Sequence, residues 1–331
     1  MHESGCGSGI APALPLSATG QGRQDACPTP TVAVVILSYR SAGYLGPCLA
    51  ALAADPDGRT AEIVVVDNAS LDGSVAVARS HARRLGLPVA VIASPANRGC
   101  AGGNNVGWRA TAAPVVVFLN PDAMVRAGCI AALAQPLLSD PSIGATGTKI
   151  FWPGTDLIQH AGGRVYPNGM TDHWGKMESD RGQHDIPRDC DYVTGAGFAV
   201  RRDTLEALGG FDEDYFPAYF EELDLCTRIR RRLGLRVSYR PDAVLDHHES
   251  VSLGADSPRF RRMYQRMRMI YLLKNAGFGG LARAARFERW WMTHEPTARG
   301  RRLEQLPAYA WGLGWLARRW VSGLAAQRPI K

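Results

Sequence analysis

The sequence predicts an α/β fold in which a mostly parallel sheet is flanked by helices. Unbroken apolar and β-branched runs, typical of strands buried on both faces of a sheet, lie at residues 32–38, 62–66, 89–93 and 115–119. Helix-length segments lie between them at residues 42–53, 73–85 and 103–112. Strands that alternate with helices form parallel βαβ units. Ligands of such sheets bind beyond the carboxyl ends of the strands, so the residues that follow each strand are the first candidates for a functional site.

Beyond residue 150 the alternation of strands and helices is weaker. Residues 151–189 are rich in Gly, Pro, His and Asp and are typical of loops over a site. Two further helices and a short strand are predicted at residues 219–233, 261–274 and 236–239. Since 46% of the 331 residues are hydrophobic, we expect one large domain over residues 31–255. A disordered leader is predicted over residues 1–30, and a basic, Trp-rich helical extension over residues 256–331.

The predicted C-terminal extension carries the excess positive charge. From Asp256 to Lys331 there are 16 Lys or Arg against 4 Asp or Glu, a net charge of +12 in a chain whose net charge is +7. Five of the eight tryptophans also lie there. Basic residues mixed with Trp suit an anionic membrane surface; the alternative is a solvated basic face with core tryptophans. No nucleic-acid-binding motif is recognisable, so we expect no nucleic acid partner.

Cysteine usage and hydropathy favour the cytoplasm. The chain has seven cysteines, an odd number with no C-x-x-C pair, so neither a disulfide framework nor a zinc ribbon is expected. The first thirty residues do not read as a secretory signal. The most apolar stretch, residues 308–326, is interrupted by Arg318 and Arg319 and is not expected to span a bilayer. We expect a cytoplasmic protein, either free or peripheral on the inner face of the plasma membrane.

Polar residues follow the second and third predicted strands. The carboxylate of Asp67 can accept hydrogen bonds from a base or a ribose, and Gly73 and Ser74 then open a helix whose free N–H groups favour anions. The alternative for this segment is a helix-capping turn. The third strand leads into a glycine-rich segment, residues 97–107, in which Arg98 can face a phosphate. The segment lacks the G-K-[ST] ending of a P-loop, so alone it is weak evidence.

The fourth strand runs directly into Asn120, Pro121 and Asp122. Mg²⁺ and Mn²⁺ prefer oxygen ligands, typically one or two carboxylates together with phosphate oxygens. Asp122 therefore fits a metal ligand with Asn120 assisting; the alternative is a β-turn, because N-P-D is good turn chemistry. Further along, His247 or His248 can complete a metal shell through an imidazole, although a pair of histidines is often incidental.

An acidic and aromatic segment spans residues 211–228. On a helix, Asp224 and Arg228 are four residues apart and can form an ion pair, whereas Glu221 and Glu222 point in different directions. A carboxylate beside aromatic side chains can have a raised pKa and serve as a general base. The alternative is a helix start enriched in acids.

Together and in this order, these segments resemble glycosyltransferase family 2, in particular its rhamnosyltransferase-like members. The matching segments lie between residues 32 and 250 and read VVILSYR, VVVDNASLDGS, NRGCAGGNNVG, VVVFLNPDA, VTGAGFAVRR and FDEDYFPAYFEELDLCTRIR. The resemblance implies a GT-A fold with a Rossmann-like nucleotide-sugar half over residues 31–125 and an acceptor half over residues 126–255. It also implies metal-dependent transfer of a sugar to a hydroxyl, with inversion at the anomeric carbon.

The resemblance further implies roles for individual residues. Those implied to bind the donor are Ser38, Tyr39, Asp67, Asn97, Gly99, Asn105, Asn120 and Asp122. The implied ligands of Mg²⁺ or Mn²⁺ are Asp122 and His247, with His248 as the alternative histidine. The implied catalytic acids are Glu222 as general base, Glu221 as the alternative, and Asp224 of the same group. Residues resembling the acceptor-side loop are Gly195, Ala196, Gly197, Arg201 and Arg202.

The implied partners are a nucleotide-diphosphate sugar and a saccharide, lipid-linked or small-molecule acceptor. A dTDP-deoxyhexose such as dTDP-rhamnose is favoured as donor, with UDP-hexoses next. A sugar-1-phosphate nucleotidyltransferase is an alternative, but it is expected to carry a Gly-rich basic signature where this chain has SYRSAGYLGPC. A non-catalytic sugar-nucleotide- or membrane-binding protein is the other alternative, and the surviving acidic residues argue against it.

Overall fold

A computed structural model describes residues 30–248, 257–294 and 307–318. Its strands are β1 (Val32–Ser38), β2 (Glu62–Asp67), β3 (Val89–Ala93), β4 (Val115–Leu119), β5 (Ala123–Val125), β6 (Ile143–Phe151), β7 (Ile158–His160), β8 (Gly163–Val165), β9 (Thr171–His173), β10 (Arg188–Asp189), β11 (Gly197–Arg201) and β12 (Arg236–His247). Its helices are α1 (Ala42–Ala54), α2 (Pro56–Thr60), α3 (Ser74–Leu85), α4 (Gly99–Arg109), α5 (Cys129–Ser139), α6 (Arg202–Leu208), α7 (Glu221–Arg232), α8 (Pro258–Asn275) and α9 (Gly277–His294). Residues 307–318 are also helical. The predicted leader, apart from Pro30, lies outside the described residues, as do residues 319–331.

The large sheet is mixed but mostly parallel. Its strand order is β10-β12-β6-β11-β4-β1-β2-β3, with β5 beside β12 and β7 beside β6. The first four strands, β1–β4, are parallel to one another. Strand β11 is antiparallel to both β4 and β6, so β6 runs in the same direction as β4. Strand β12 is parallel to β6. The predicted α/β class is therefore confirmed. Since β2, β1 and β4 are neighbours, their carboxyl ends meet at one edge of the sheet.

Both faces of β1 are buried, which explains its unbroken apolar sequence. Val34 and Ile36 belong to one core, which also contains residues of α1 and α5, while Val35 faces a second core with residues of α7 and α8. Helix α4 packs closely against β1: a β-carbon added at Gly107 would lie 2.2 Å from Cγ1 of Val35. The helix predicted at residues 103–112 starts four residues earlier than expected, within the glycine-rich segment at residues 97–107. Helix α4 begins at Gly99, and its glycines permit close packing on the sheet.

Strand β12 is much longer than the predicted strand at residues 236–239. Its pairing with β6 shifts register between Arg240 and Val244, around Pro241, and then resumes. Pro lacks the N–H that a regular ladder needs, which is why the sequence pattern stops early. The continuation carries the strand to His247, opposite β5.

The described parts of the C-terminal extension form helices, as predicted. Trp311 and Trp315 pack against the second core, and Trp291 lies against Tyr166, as the alternative of core tryptophans predicted, while Trp290 is half exposed. Within the described residues, every helix is too short or too polar to traverse a bilayer. The cysteines of the described part are all free thiols, namely Cys48, Cys100, Cys129, Cys190 and Cys226.

Candidate active site

The loops that follow β1 and β2 are joined by hydrogen bonds at the edge of the sheet. The backbone N–H of Asn68 donates to the carbonyl of Ser38 (2.8 Å), and that of Arg40 donates to Oγ of Ser70 (2.9 Å). Arg40 and Ala69 have φ of 54° and 61°, a region that residues other than glycine rarely adopt. Strained backbone of this kind persists where the surrounding structure holds it and is concentrated at functional sites.

Asp67 is the buried acid of this edge. Its Oδ2 accepts the backbone N–H of Ser70 (3.0 Å), whereas Oδ1 is buried without a partner among the described residues. An unpaired buried carboxylate oxygen is costly, and a ring N–H or a ribose hydroxyl would satisfy it. Ser38 is fully buried with its Oγ 2.8 Å from that of Ser41, so it positions the loop. Tyr39 is partly exposed at the same edge.

Asn68 connects this edge to the segment before α4. Its Nδ2 donates to Oδ1 of Asn97 (3.0 Å) and to the carbonyl of Gly99 (3.2 Å). Gly99 has φ of 70°, and a β-carbon added there would lie 2.8 Å from the carbonyl oxygen of Pro217. Asn97 and Gly99 therefore join the carboxyl edge of the sheet to the acidic segment at residues 211–228. The role of Asn68 in joining these segments was not predicted, although its position directly after Asp67 was a signal.

Asn105 does not support its predicted place in the donor pocket. It is buried, its Nδ2 donates to the carbonyl of Phe211 (2.9 Å) and to Oε1 of Glu213 (3.1 Å), and its Oδ1 accepts from Phe211 N and Trp108 Nε1. The whole amide is thus engaged between α4 and the start of the acidic segment. Its role in this structure is to position that segment.

The residues after β4 meet the end of β12. Asp122 is largely buried, and its Oδ1 lies 3.3 Å from Nε2 of His247. The amide nitrogen of Asn120 lies 3.5 Å from the same Nε2. This convergence follows from the antiparallel pairing of β5 and β12, which sets His247 opposite Ala123, the residue after Asp122.

The structure distinguishes the two adjacent histidines. His247 is 7% exposed and faces Asp122, whereas His248 is exposed with its ring against that of Tyr44. Gln159 holds His247 twice: Oε1 lies 2.7 Å from the ring Nδ1, and Nε2 donates to the His247 carbonyl (3.2 Å). Because an amide oxygen only accepts, Nδ1 carries a proton, and Nε2 is the ring nitrogen that lies towards Asp122.

These side chains fit part of the shell of a divalent cation. Among residues 30–248, 257–294 and 307–318, no group of three His, Cys, Asp or Glu side chains is placed to hold a metal ion. Mg²⁺ sites, however, often use only one or two carboxylates and complete the shell with phosphate oxygens and water, and Mn²⁺ accepts the same ligands and imidazole. Asp122 and His247, with Asn120 beside them, suit such a partial set.

Glu221 and Glu222 begin α7, directly after two residues in the left-handed region. Tyr219 and Phe220 have φ of 78° and 72°, a region that residues other than glycine rarely adopt. Burial and then the charge of Glu222 raise the pKa of Glu221 well above its usual value. Burial also raises the pKa of Glu222. Hydrogen bonds from backbone N–H groups, including that of Gly195, lower this pKa and so oppose the rise.

The two halves of the candidate site meet at Gly195 and Ala196. A β-carbon added at Gly195 would lie 3.8 Å from Cδ of Glu222. The carbonyl of the next residue, Ala196, accepts the backbone N–H of Asn120 (3.0 Å). One peptide unit therefore separates the glutamate from the segment that carries Asp122, and both face the same edge of the sheet.

Three predicted members of the site lie elsewhere. The carboxylate of Asp224 is buried and holds Arg228 (2.6 Å), the hydroxyl of Tyr215 (3.0 Å) and the amide of Asn275 (2.8 Å), so the predicted ion pair forms and the side chain is structural. Arg201 and Arg202 lie at the far end of β11, since that strand crosses the sheet antiparallel to β4. Their guanidinium groups bind Asp203 and the carbonyl of Ala113. Only Gly195–Gly197 of the predicted acceptor loop reaches the site.

Comparison with known proteins agrees with this geometry. The sequence pattern of Glycosyl transferase family 2 matches residues 33–209, more than half of the chain. The chain belongs to glycosyl transferase family 2. Among relatives, this family 2 chain is 28% identical over 292 residues to the N-acetylglucosaminyl-diphospho-decaprenol L-rhamnosyltransferase of Mycobacterium tuberculosis strain H37Rv, covering 80% of this chain and 87% of that protein.

Other relatives of this family 2 chain are much longer. It is 33% identical over 160 residues to the O-antigen biosynthesis protein RfbC of Myxococcus xanthus, covering 46% of this chain and 12% of that protein. It spans 23% of an uncharacterised protein of Sinorhizobium fredii, with 28% identity over 215 residues and 62% of this chain covered.

Solved structures share the fold. A mannosyltransferase from Pyrobaculum calidifontis, solved with GDP-Man and Mn²⁺, matches with a TM-score of 0.53 and 21% identity over 92% of this chain and 91% of that chain. GalNAc-T7, solved with UDP, GalNAc and Mn²⁺, matches with a TM-score of 0.59 and 18% identity over 72% of this chain and 48% of that chain. The expected GT-A architecture, with a helical C-terminal extension, is thereby confirmed.

Proposed function

We propose that this protein transfers a sugar, with inversion, from a nucleoside diphosphate sugar to an acceptor hydroxyl, using Mg²⁺ or Mn²⁺. The observation that carries the proposal is that Glu222 lies against Gly195, while the next residue, Ala196, is hydrogen-bonded to Asn120, two residues before Asp122. A single in-line displacement requires a base at one end of the site and a group that stabilises the leaving group at the other. Glu222, with its raised pKa, suits the first role, and the Asp122–His247 pair suits the second. We assign residues 31–125 to the donor and residues 126–255 to the acceptor.

In this proposal the ionised Glu222 accepts the proton of the acceptor hydroxyl as its oxygen attacks the anomeric carbon. The bond between that carbon and the diphosphate oxygen breaks, and the nucleoside diphosphate departs. General-base catalysis of this type contributes typically about 10²–10⁴ in rate. Asp67 and Tyr39 bind the base and ribose, and the unpartnered Oδ1 of Asp67 accepts a ring N–H or a ribose hydroxyl.

Asp122 and His247 would hold the metal ion in this proposal, with Asn120 assisting. The bound cation supplies charge neutralisation for the departing diphosphate. Gln159 fixes the ring of His247 so that Nε2 is directed at Asp122, so the two side chains are arranged before a cation binds.

We infer that the transferred sugar is a deoxyhexose, with dTDP-rhamnose as the first candidate donor. The support is the mycobacterial relative, which is named for L-rhamnosyl transfer and which this chain matches over 87% of its length. UDP-hexoses are the next candidates. For the acceptor, the same name favours a lipid-linked saccharide.

A panel of nucleotide sugars tests the proposal. With Mn²⁺ present, one donor should raise the melting temperature, as ligands of the folded state do, and should be hydrolysed slowly to the nucleoside diphosphate. In EDTA both effects should disappear. If no nucleotide sugar stabilises the protein with either cation, the proposed function is refuted.

Asp122→Ala should abolish the metal-dependent part of donor binding, because it removes the only carboxylate beside His247 within the described residues. We expect Mn²⁺ to change the donor Kd of the variant less than about twofold, measured by calorimetry with and without EDTA, since one metal–carboxylate contact in a partial shell is not replaced. Asp203→Ala is the matched control, because Asp203 pairs with Arg201 at the opposite edge of the sheet. Equal metal dependence in Asp122→Ala and wild type would contradict the metal assignment.

A further inference from the structure

A pocket lies on the other side of the segment that precedes Glu221 and Glu222. Its volume is about 330 Å³, and it is bounded by Phe216 and Pro217, by α8 and by Trp311. The carbonyl of Pro217 accepts the backbone N–H of Cys100 (2.7 Å). The Phe216–Pro217 wall therefore touches the start of α4 on one side and the pocket on the other.

One face of α8 gives this pocket a positive charge. Arg259, Arg262 and Arg266 are spaced i, i+3 and i+7, so they lie along one side of the helix. All three line the pocket and are exposed. Within residues 30–248, 257–294 and 307–318 none of the three forms an ion pair with a carboxylate, whereas Arg268 and Lys274 of the same helix are paired. The charge of this face is uncompensated by the described residues.

The remaining lining of the pocket is apolar. Met263 and Met267 of α8 and Trp311 line it together with Phe216 and Pro217. Phe216 is 55% exposed, unusual for a ring of this size. The guanidinium of Arg266 lies 5.6 Å from the Trp311 ring centroid. A ligand that matches this lining needs an anionic group joined to an apolar chain.

We propose that this pocket binds the diphosphate and adjoining apolar chain of a lipid-linked acceptor; this rests on the proposed glycosyl transfer. Guanidinium groups bind phosphate oxygens through paired charge-assisted hydrogen bonds, while Met and aromatic side chains suit a flexible hydrocarbon. Aromatic contacts join α8 to the residues just before the base, Tyr219 to Phe260 and Phe220 to Tyr264. An acceptor anchored here presents its sugar across that segment to Glu222.

Farnesyl diphosphate tests the pocket without donor or metal. In EDTA, wild-type protein should bind it and quench tryptophan fluorescence. Arg262→Ala and Arg266→Ala should each weaken binding about tenfold or more, because each removes hydrogen bonds to a charged group. Arg286→Ala on α9, also an exposed arginine, is the control and should bind like wild type. Melting temperatures of all variants report on folding.

The remaining comparisons identify the occupant. Inorganic pyrophosphate should bind at least about tenfold more weakly than farnesyl diphosphate, since it forgoes the apolar contacts; equal binding would overturn the proposal. A different result would be that phosphatidylglycerol vesicles bind the wild-type protein but not Arg262→Ala, while farnesyl diphosphate does not bind. This result would assign the arginine face to an anionic membrane and would also overturn the proposal. Because no sugar nucleotide is present, failure here is separate from failure of the donor panel.

Discussion

Replacing Glu222 by Gln should lower the rate of sugar transfer by about 10²–10⁴ while the donor still binds. Gln has the same shape and keeps the contact with Gly195, but it cannot accept the hydroxyl proton. Donor affinity should persist because the residues proposed to contact base, ribose and cation lie after β1, β2 and β4 and at the end of β12. Transfer is measured by single-turnover kinetics at saturating acceptor, and donor Kd by calorimetry. Near-normal turnover of Glu222→Gln would remove the general base from the mechanism.

Glu221→Gln is the matched control for that result. The pKa of Glu221 is raised well above its usual value by burial and by the charge of Glu222, whereas burial raises the pKa of Glu222 and backbone N–H groups, including that of Gly195, oppose the rise. When only one of two adjacent carboxyls ionises, we expect Glu222 to be the ionised member and Glu221 the protonated one. A neutral Gln at position 221 preserves that charge state. We expect transfer within about tenfold of wild type; the reverse order of effects would exchange the two roles.

The pH dependence of transfer follows from the same pKa shift. Burial raises the pKa of Glu222, so the carboxylate that acts as base is lost as the pH falls through this raised value and is complete above it. The acidic limb of the kcat profile should therefore have its midpoint above about 4.3, the usual value for Glu. Glu221→Gln should leave that midpoint in place, because it leaves the charge beside Glu222 unchanged. A midpoint at or below the usual value would contradict the buried base.

The strands and helices around the carboxyl edge of the sheet were predicted well because each signal there was local. Buried parallel strands produce unbroken apolar runs, and Asp67 and Asp122 follow them directly. The start of α4 was missed because glycine usually signals a loop, whereas here Gly103 and Gly107 are required by Leu37 and Val35. Helix packing of this kind depends on the neighbouring strand, which local sequence does not contain.

Side-chain partners across the fold were harder to predict. Asn105 lies in a segment typical of donor sites, yet its amide is used by Phe211 and Glu213, more than a hundred residues away. Gln159 had no local signal at all, since it reaches His247 only because β7 pairs with β6, which in turn pairs with β12. The spacing of Asp224 and Arg228 predicted their pair correctly, but their burial depended on α8 and was not foreseeable.

Replacing Glu288 by Ala should destabilise the protein by about 3–5 kcal/mol, because it leaves Arg268 buried without its partner. Arg268 is 1% exposed, and its guanidinium binds both carboxylate oxygens of Glu288, at 2.9 and 3.0 Å. Asn168 donates to the same carboxylate (2.6 Å). The free energy of unfolding is measured by urea denaturation followed by tryptophan fluorescence.

Two further variants separate charge burial from simple loss of a contact. Asp140→Ala removes the exposed partner of Arg236 and should lower the free energy of unfolding far less than Glu288→Ala, because exposed ion pairs contribute little. Arg268→Met combined with Glu288→Leu should recover most of the stability lost in Glu288→Ala, since apolar replacements of similar volume avoid the desolvation of both charges. If the double variant is less stable than Glu288→Ala alone, the attraction between the two charges is not the main contribution of the pair. The hydrogen bonds of Glu288 with Asn168 and Tyr309 then hold α8 against α9. A loss below about 1 kcal/mol in Glu288→Ala would mean that water reaches Arg268 and that the two helices separate readily.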